Sequence, residues 1–255
     1  DIIGMGRALY ADPYFPAKAL AGDDGRIRPC VACNEGCVGA MARCEPTSCA
    51  VNPRAGYEHR YPFVPAKKLK KVLVVGGGIA GMYAAEIAAR RGHSVTLWEK
   101  ADRLGGLLNI AAIPPHKASY RDLIQSFSVR LAELKVAVEL NRDAVAEDIA
   151  AFGAEDVLIA TGSVPFTPRY VWGVAPVYAE DVLKGAPTGR NVVILGGGLV
   201  GCETAEFLAA QEKSVTIIEL RDELAADMEG RSRRLLLERL AAFGVKCLVK
   251  TQRRI

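Results

Sequence analysis

Four cysteines near the start of the chain are spaced as metal ligands. Cys30, Cys33 and Cys37 lie close together, and Cys49 follows after eleven intervening residues. Three thiolates this close in sequence can wrap one face of a cubane, and a distant fourth closes it; thiolates are the usual ligands of iron–sulfur clusters. The rival is a structural four-cysteine zinc site, which more often uses two separated Cys-x-x-Cys pairs. The spacing favours a [4Fe–4S] cluster over zinc. Cys44 lies inside the gap as an alternative fourth ligand. Cys49 is preferred because Cys49-Ala50-Val51-Asn52-Pro53 ends a compact loop. Cys202, early in a helix, and Cys247, on a strand, are expected to be packing residues. Seven cysteines, five of them between positions 30 and 49, argue against a secreted disulfide framework and for metal chemistry in a reducing cytoplasm.

Two glycine motifs carry the second chemistry. Gly76-Gly77-Gly78-Ile79-Ala80-Gly81 follows an apolar run and opens a helical pattern. Gly76 allows a tight turn, Gly78 lets backbone approach a pyrophosphate, and Gly81 lets the helix pack close to the strand. The helix amino terminus then presents free N–H groups and a partial positive charge to the anion. Glu99, followed by Lys100, ends the next strand, where a carboxylate accepts hydrogen bonds from ribose hydroxyls. The pattern returns as Gly196-Gly197-Gly198-Leu199-Val200-Gly201, with Glu219 in the place of Glu99. Two dinucleotide units in one chain imply two nucleotides and electron transfer between them. Glu219 would repel a 2′-phosphate, which favours NAD(H) over NADP(H), although Arg221 could blunt that preference.

The elements that must position these residues alternate strand and helix from Lys71 onward. Strands are expected at 72–75, 94–98, 136–140, 157–160, 192–195, 214–218 and 245–249, with 72–75 and 157–160 as continuous buried runs. Helices are expected at 79–91, 119–134, 199–211 and 231–243. This alternation predicts an α/β fold with two Rossmann-like units, parallel sheets and right-handed crossovers. Upstream, Ile2, Ile3 and Met5 read as a short buried strand. A helix follows from Asp12-Pro13 and stops at Gly22. Residues 23–70 are rich in Cys, Pro, Gly and Asn, which suggests loop and linker.

In combination these motifs resemble the carboxyl-terminal part of the 2,4-dienoyl-CoA reductase, 2-enoate reductase and trimethylamine dehydrogenase group, the multidomain branch of the old yellow enzyme family. The match runs through Gly4-Met5-Gly6-Arg7-Ala8-Leu9-Tyr10-Ala11-Asp12-Pro13, the cysteine spacing closed by Cys49 and Asn52-Pro53, both glycine motifs, Leu104-Gly105-Gly106-Leu107, Pro114-Pro115-His116-Lys117 and Ala160-Thr161-Gly162. The resemblance implies four parts: 1–27 as the end of an FMN-binding TIM barrel, 28–68 as the cluster loop and linker, 69–188 as an FAD-binding domain, and 189–255 as an incomplete NAD-binding domain. It implies that Gly6 and Arg7 contact the FMN phosphate. Gly76, Gly78, Gly81, Glu99, Gly106, Leu107, Thr161 and Gly162 would cradle FAD, and Gly198, Gly201 and Glu219 would hold NADH. Electrons would run from NADH to FAD, the [4Fe–4S] cluster, FMN and an activated alkene such as a 2-enoate or enoyl-CoA. The acid–base residues are expected in a barrel that precedes this chain, so none is assigned here. Alternatives are an amine dehydrogenase-like relative, with ADP rather than FAD at the first motif, and a non-catalytic fragment without cofactors.

Composition narrows the classes further. A net charge of +4 on 255 residues gives no case for nucleic acid. Lys67, Lys68, Lys70 and Lys71 read as a solvated linker end. No apolar run reaches the roughly 18 residues that span a bilayer, and the amino terminus lacks a signal-peptide pattern, so a cytoplasmic protein is expected. His59, His93 and His116 form no acid–base set. The oligomeric state stays open, a homo-oligomer included.

Overall fold

The computed structural model describes residues 2–165 and 175–251. In chain order its elements are α1 (Arg7–Ala11), α2 (Phe15–Leu20), α3 (Ala40–Ala42), β1 (Lys71–Val75), α4 (Ile79–Arg90), β2 (Ser94–Trp98), α5 (Leu108–Ala111), α6 (Ser119–Glu133), β3 (Ala137–Glu139), α7 (Ala146–Phe152), β4 (Asp156–Ile159), α8 (Ala179–Leu183), β5 (Asn191–Leu195), α9 (Leu199–Ala209), β6 (Ser214–Ile218), α10 (Gly230–Ala242) and β7 (Lys246–Leu248). They form two compact units. The first comprises Asp1–Ala32, Cys44–Ala112 and Ala118–Ser163, and the second Cys33–Arg43, Ile113–Lys117 and Val164–Ile255.

The first unit is built on a parallel sheet of order β3-β2-β1-β4. β1 lies inside the sheet, and Val72 to Val75 are buried on both faces, as a continuous apolar run requires. α4 and α6 pack together, burying Met82, Ala85, Leu123, Phe127 and Leu131. The other face buries Leu73, Val75 and Trp98 against Ala144, Ile149, Phe152 and Ala154, with Trp98 and Phe152 edge to face at 5.2 Å. Fully burying one such side chain contributes about 1.5–3 kcal/mol.

Upstream, Asp12 ties the leading segments together. It accepts hydrogen bonds from the Lys18 ammonium at 2.5 Å, the Arg28 N–H at 2.9 Å and the Tyr14 N–H at 3.1 Å. Burial raises the Asp12 pKa, but these donors outweigh it and hold the carboxyl below its ordinary range.

The second unit has a parallel sheet of order β5-β6-β7. α8, α9 and α10 bury Val182, Cys202, Ala205, Leu208, Leu236 and Leu240 with Val215 and Ile217 of β6. Among the described residues no helix is long and apolar enough to cross a membrane.

The elements follow the expected α/β alternation, with four departures. Ile2 and Ile3 form no strand and stand exposed, Ile3 at 85%; a strand needs a ladder, and no described neighbour pairs with this one. Helix instead begins at Arg7. β4, expected to be buried, is exposed along its whole length, Ile159 at 65%, because it is the edge strand of its sheet. Cys247, expected in the core, is exposed because β7 is likewise an edge strand, with all three residues on the surface. The lysines at 68, 70 and 71 are not merely solvated. Lys68 pairs with Glu155, Lys70 with Asp156, and Lys71 donates to the Phe152 carbonyl at 2.5 Å.

Candidate dinucleotide sites and the cysteine segments

The loop from β1 to α4 takes its shape from three glycines. Gly76 has φ +106°, and a Cβ there would lie 2.3 Å from the Ala160 carbonyl oxygen. A Cβ on Gly81 would lie 1.8 Å from the Gly76 carbonyl oxygen. Gly78 is extended at the amino terminus of α4, and a Cβ there would meet nothing within 4 Å. Two of the glycines are therefore fixed by the fold itself. The third faces open space, as close approach of a ligand to backbone requires.

Glu99 closes this loop from below. It is buried, and its Oε2 accepts the Gly77 N–H at 2.6 Å while Oε1 accepts the Ala101 N–H at 2.8 Å. The Gly105 N–H donates to the Gly77 carbonyl at 2.8 Å and brings Gly106 across Gly78. Thr161 follows β4 with its Cα 3.2 Å from the Cβ position of Gly76, and Gly162 comes next at φ +78°. The structure thus gathers Gly76, Gly78, Gly81, Glu99, Gly106 and Thr161 around one loop. Ile79, Ala80, Lys100 and Leu107 are exposed at its margins. Gly6 and Arg7 are exposed at the start of α1.

The second unit repeats this arrangement 120 positions later, Gly76 answering to Gly196, Glu99 to Glu219 and Leu104 to Leu224. Gly196 has φ +102°, and a Cβ on Gly201 would lie 1.9 Å from the Gly196 carbonyl oxygen. Glu219 Oε2 accepts the Gly197 N–H at 2.6 Å and Oε1 the Arg221 N–H at 2.7 Å. These N–H groups, Arg221 first, hold the Glu219 carboxyl below its ordinary range. The Ala225 N–H donates to the Gly197 carbonyl at 2.7 Å, as Gly105 does to Gly77. Leu199 and Val200 begin α9, with Val200 exposed. Cys202 is fully buried and donates to the Gly197 carbonyl at 3.2 Å; burial pushes its thiol up to about 12. Its expected packing role holds.

No disulfide joins any of the seven cysteines, and Cys30, Cys33, Cys37 and Cys49 are all half-buried. Cys30 and Cys49 belong to the first unit. There Arg28 donates to the Asn52 side chain at 3.2 Å, and Asn52 donates to the Tyr10 carbonyl at 2.9 Å, so residues 28–30 and 49–52 are tied at their flanks. Cys44 is exposed with φ +55°.

Cys33 and Cys37 belong to the second unit. Asn34 turns left-handed at φ +61°, and a π-helical turn over Glu35–Gly39 carries Cys37. Asn34 donates to the Ser232 hydroxyl at 3.1 Å, and Glu35 accepts the Glu229 N–H at 2.9 Å, which fixes this segment to the first turn of α10. Among the described residues no three Cys, His, Asp or Glu side chains gather as one metal ion requires. A cubane instead takes each thiolate at a separate iron, and four thiols are the donor chemistry of such a cluster.

His116 is 68% exposed, with Nε2 3.9 Å from Glu206, and His93 Nδ1 accepts the Lys70 N–H at 3.2 Å. Sequence reasoning missed Asp227, whose Oδ1 accepts the Leu199 N–H at 3.1 Å. Its position, 120 after Leu107, could have signalled it.

Two parallel-sheet units, each with a glycine loop against a helix amino terminus and a strand-end glutamate strapped beneath, define a paired dinucleotide-binding protein. The family model of the pyridine nucleotide-disulphide oxidoreductases matches residues 70–254, and the chain belongs to that family. It is 46% identical over 226 residues to cinnamate reductase of Clostridium sporogenes, covering 88% of this chain and 34% of the relative. It is 39% identical over 257 residues to bilirubin reductase of Mediterraneibacter gnavus, covering 99% of this chain and 40% of the relative. Its fold matches the structure of a 2-naphthoyl-CoA reductase with 2-naphthoyl-CoA at a TM-score of 0.89 and 32% identity, over 97% of this chain and 38% of that one. The chain therefore spans only about a third to two-fifths of these relatives. The matches bear out the resemblance drawn from the motifs and the α/β fold class, and they place the chain in an oxidoreductase family.

Proposed function

We propose that this chain is the electron-transfer portion of an iron–sulfur flavoprotein oxidoreductase, carrying electrons from NADH through FAD and a [4Fe–4S] cluster to FMN in a barrel domain, for reduction of an activated C=C bond of 2-enoate or enoyl-CoA type. The protein is cytoplasmic in this reading. The residues divide as 1–27 barrel end, 28–68 cluster loop and linker, 69–188 FAD-binding and 189–255 NAD-binding. The observation that carries the proposal is the repeated loop, with the same backbone and carboxylate hydrogen bonds at Gly77–Glu99 and Gly197–Glu219. Two such cradles suit a hydride donor and a flavin.

At the first cradle Gly76, Gly78 and Gly81 admit the FAD pyrophosphate to the α4 amino terminus, and Glu99 keeps lone pairs for ribose hydroxyls. Gly106, Leu107, Thr161 and Gly162 border the same loop. At the second, Gly196, Gly198 and Gly201 do the same for NADH. Glu219, held ionised by two N–H donors, disfavours a 2′-phosphate. Cys30, Cys33, Cys37 and Cys49 would supply the cluster thiolates. A cluster bound there would supply one-electron transfer, which a hydride donor alone does not provide. Gly6 and Arg7 would meet the FMN phosphate.

An anaerobic absorption spectrum of the purified protein, with iron, sulfide and flavin analysis and repeated after adding NADH, tests this. About four irons and four sulfides per chain, bound FAD and bleaching by NADH are expected of a [4Fe–4S] flavoprotein. Stoichiometric zinc would remove the cluster from the proposal. ADP in place of FAD would turn it toward an amine dehydrogenase-like relative.

A further inference from the structure

The two cradles share their three motif glycines, the strand-end glutamate and the leucine that packs under the turn, and they diverge in the loop that crosses the glycine turn. The first copy carries Leu104-Gly105-Gly106-Leu107 and the second Leu224-Ala225-Ala226-Asp227. The two loops keep the same anchoring contacts although their backbone angles differ. Leu104 packs on Gly77 as Leu224 packs on Gly197, and residues 105 and 225 donate equivalent hydrogen bonds. Ala225 even keeps a left-handed φ of +46° where Gly105 has +112°.

The difference is at the last position. Leu107 has no acceptor to offer. Asp227 has a carboxylate, and its Oδ1 accepts the N–H of Leu199, the first residue of α9, at 3.1 Å. Both Asp227 oxygens stand 3.9 Å from where a Cβ on Gly198 would lie. This N–H, with the partial positive charge of the eleven-residue helix behind it, is what a dinucleotide motif presents to a pyrophosphate.

We propose that Asp227 is an internal anion that a nicotinamide nucleotide must displace, and that it sets the affinity of the second cradle for its coenzyme. The inference rests on reading the second motif as the NAD(H) site. A carboxylate and a pyrophosphate cannot share one N–H, and two anions drawn to one helix terminus repel. Asp227 is exposed, so it swings into water rather than into protein, and it weakens binding without blocking it. The two cradles have opposite duties. A flavin stays bound, whereas a hydride donor must arrive and leave in every turnover. One side chain, Leu107 against Asp227, separates an uncontested helix terminus from a contested one.

The test is calorimetric titration of the purified protein with ADP-ribose, which carries the pyrophosphate but no reacting ring, comparing wild type with Asp227→Asn and Asp227→Leu. Both variants are expected to bind about tenfold more tightly, with slower dissociation in stopped flow and unchanged FAD content. Asparagine keeps an acceptor without charge, and leucine reproduces the first copy, so the pair guards against one variant failing to fold. Wild-type binding with unchanged or weaker binding in the variants would overturn the proposal alone. No binding of ADP-ribose by any of the three would overturn both this proposal and the assignment of the second motif.

Discussion

Glycines of one motif answer to different forces. Gly81 is fixed by the fold, since any side chain there would run into the Gly76 carbonyl at 1.8 Å. Gly78 is not fixed by the protein, since a side chain there meets no protein atom within 4 Å, and in the proposed cradle it is the ligand that needs the space. The two substitutions should therefore separate. Gly81→Ala is expected to lower thermal stability and flavin content together. Gly78→Ala is expected to melt within about 1 kcal/mol of wild type, as surface changes do, yet to lose bound flavin. A calorimetric melt beside a flavin assay checks this, and a Gly78→Ala protein with full flavin would remove Gly78 from the cradle.

Elements are joined by buried charge as well as by apolar contact. Glu86 of α4 is 1% exposed and faces three guanidinium groups: Arg90 at 3.0 Å, Arg130 of α6 at 3.2 Å, and Arg28, two residues before Cys30, at 3.6 Å. Burial lowers the Arg130 pKa, and Glu86 partly offsets that. Removing this anion would leave the buried Arg130 and the partly buried Arg28 unbalanced. Glu86→Ala is expected to cost about 3–5 kcal/mol in denaturant unfolding, a loss characteristic of a broken buried pair. A loss under 1 kcal/mol would mean that α4 and α6 are held by their apolar faces alone.

At the scale of the whole molecule, titration should shape stability from both ends. Asp12, Glu219 and Glu229 all have carboxyls held below their ordinary range. In Asp12 and Glu229 burial works the other way and is outweighed by nearby donors; in Glu219 the Arg221 N–H leads. A depressed carboxyl binds fewer protons folded than unfolded. Its contribution is complete above the ordinary range near about pH 4 and is lost as pH falls through the folded values. Cys202 acts in the opposite sense. Its thiol, pushed up to about 12 from 9.0, stays protonated when folded, so stability falls as pH rises above 9.0. Unfolding free energy against pH should decline at both ends, and Cys202→Ala should flatten the alkaline limb while leaving the acid limb. An unchanged alkaline limb would show that Cys202 ionises in the folded protein.

The chain's own order of residues determined the α/β class, the two cradles and their glutamates, because strand and helix periodicity and the left-handed turns that favour glycine are local properties. It also offered four thiols whose spacing suits a cluster, with Cys44 as an alternative to Cys49. Tertiary structure alone decided the rest. Burial of β4 and Cys247 depends on which strands become sheet edges, and residues 2–5 find no partner strand among the described residues; neither is written in a local pattern. The contact between Asp227 and the first N–H of α9 likewise spans 28 residues and forms only when the crossing loop folds back over the glycine turn. Pairing between distant segments is a property of topology, and that is where the sequence pattern stops.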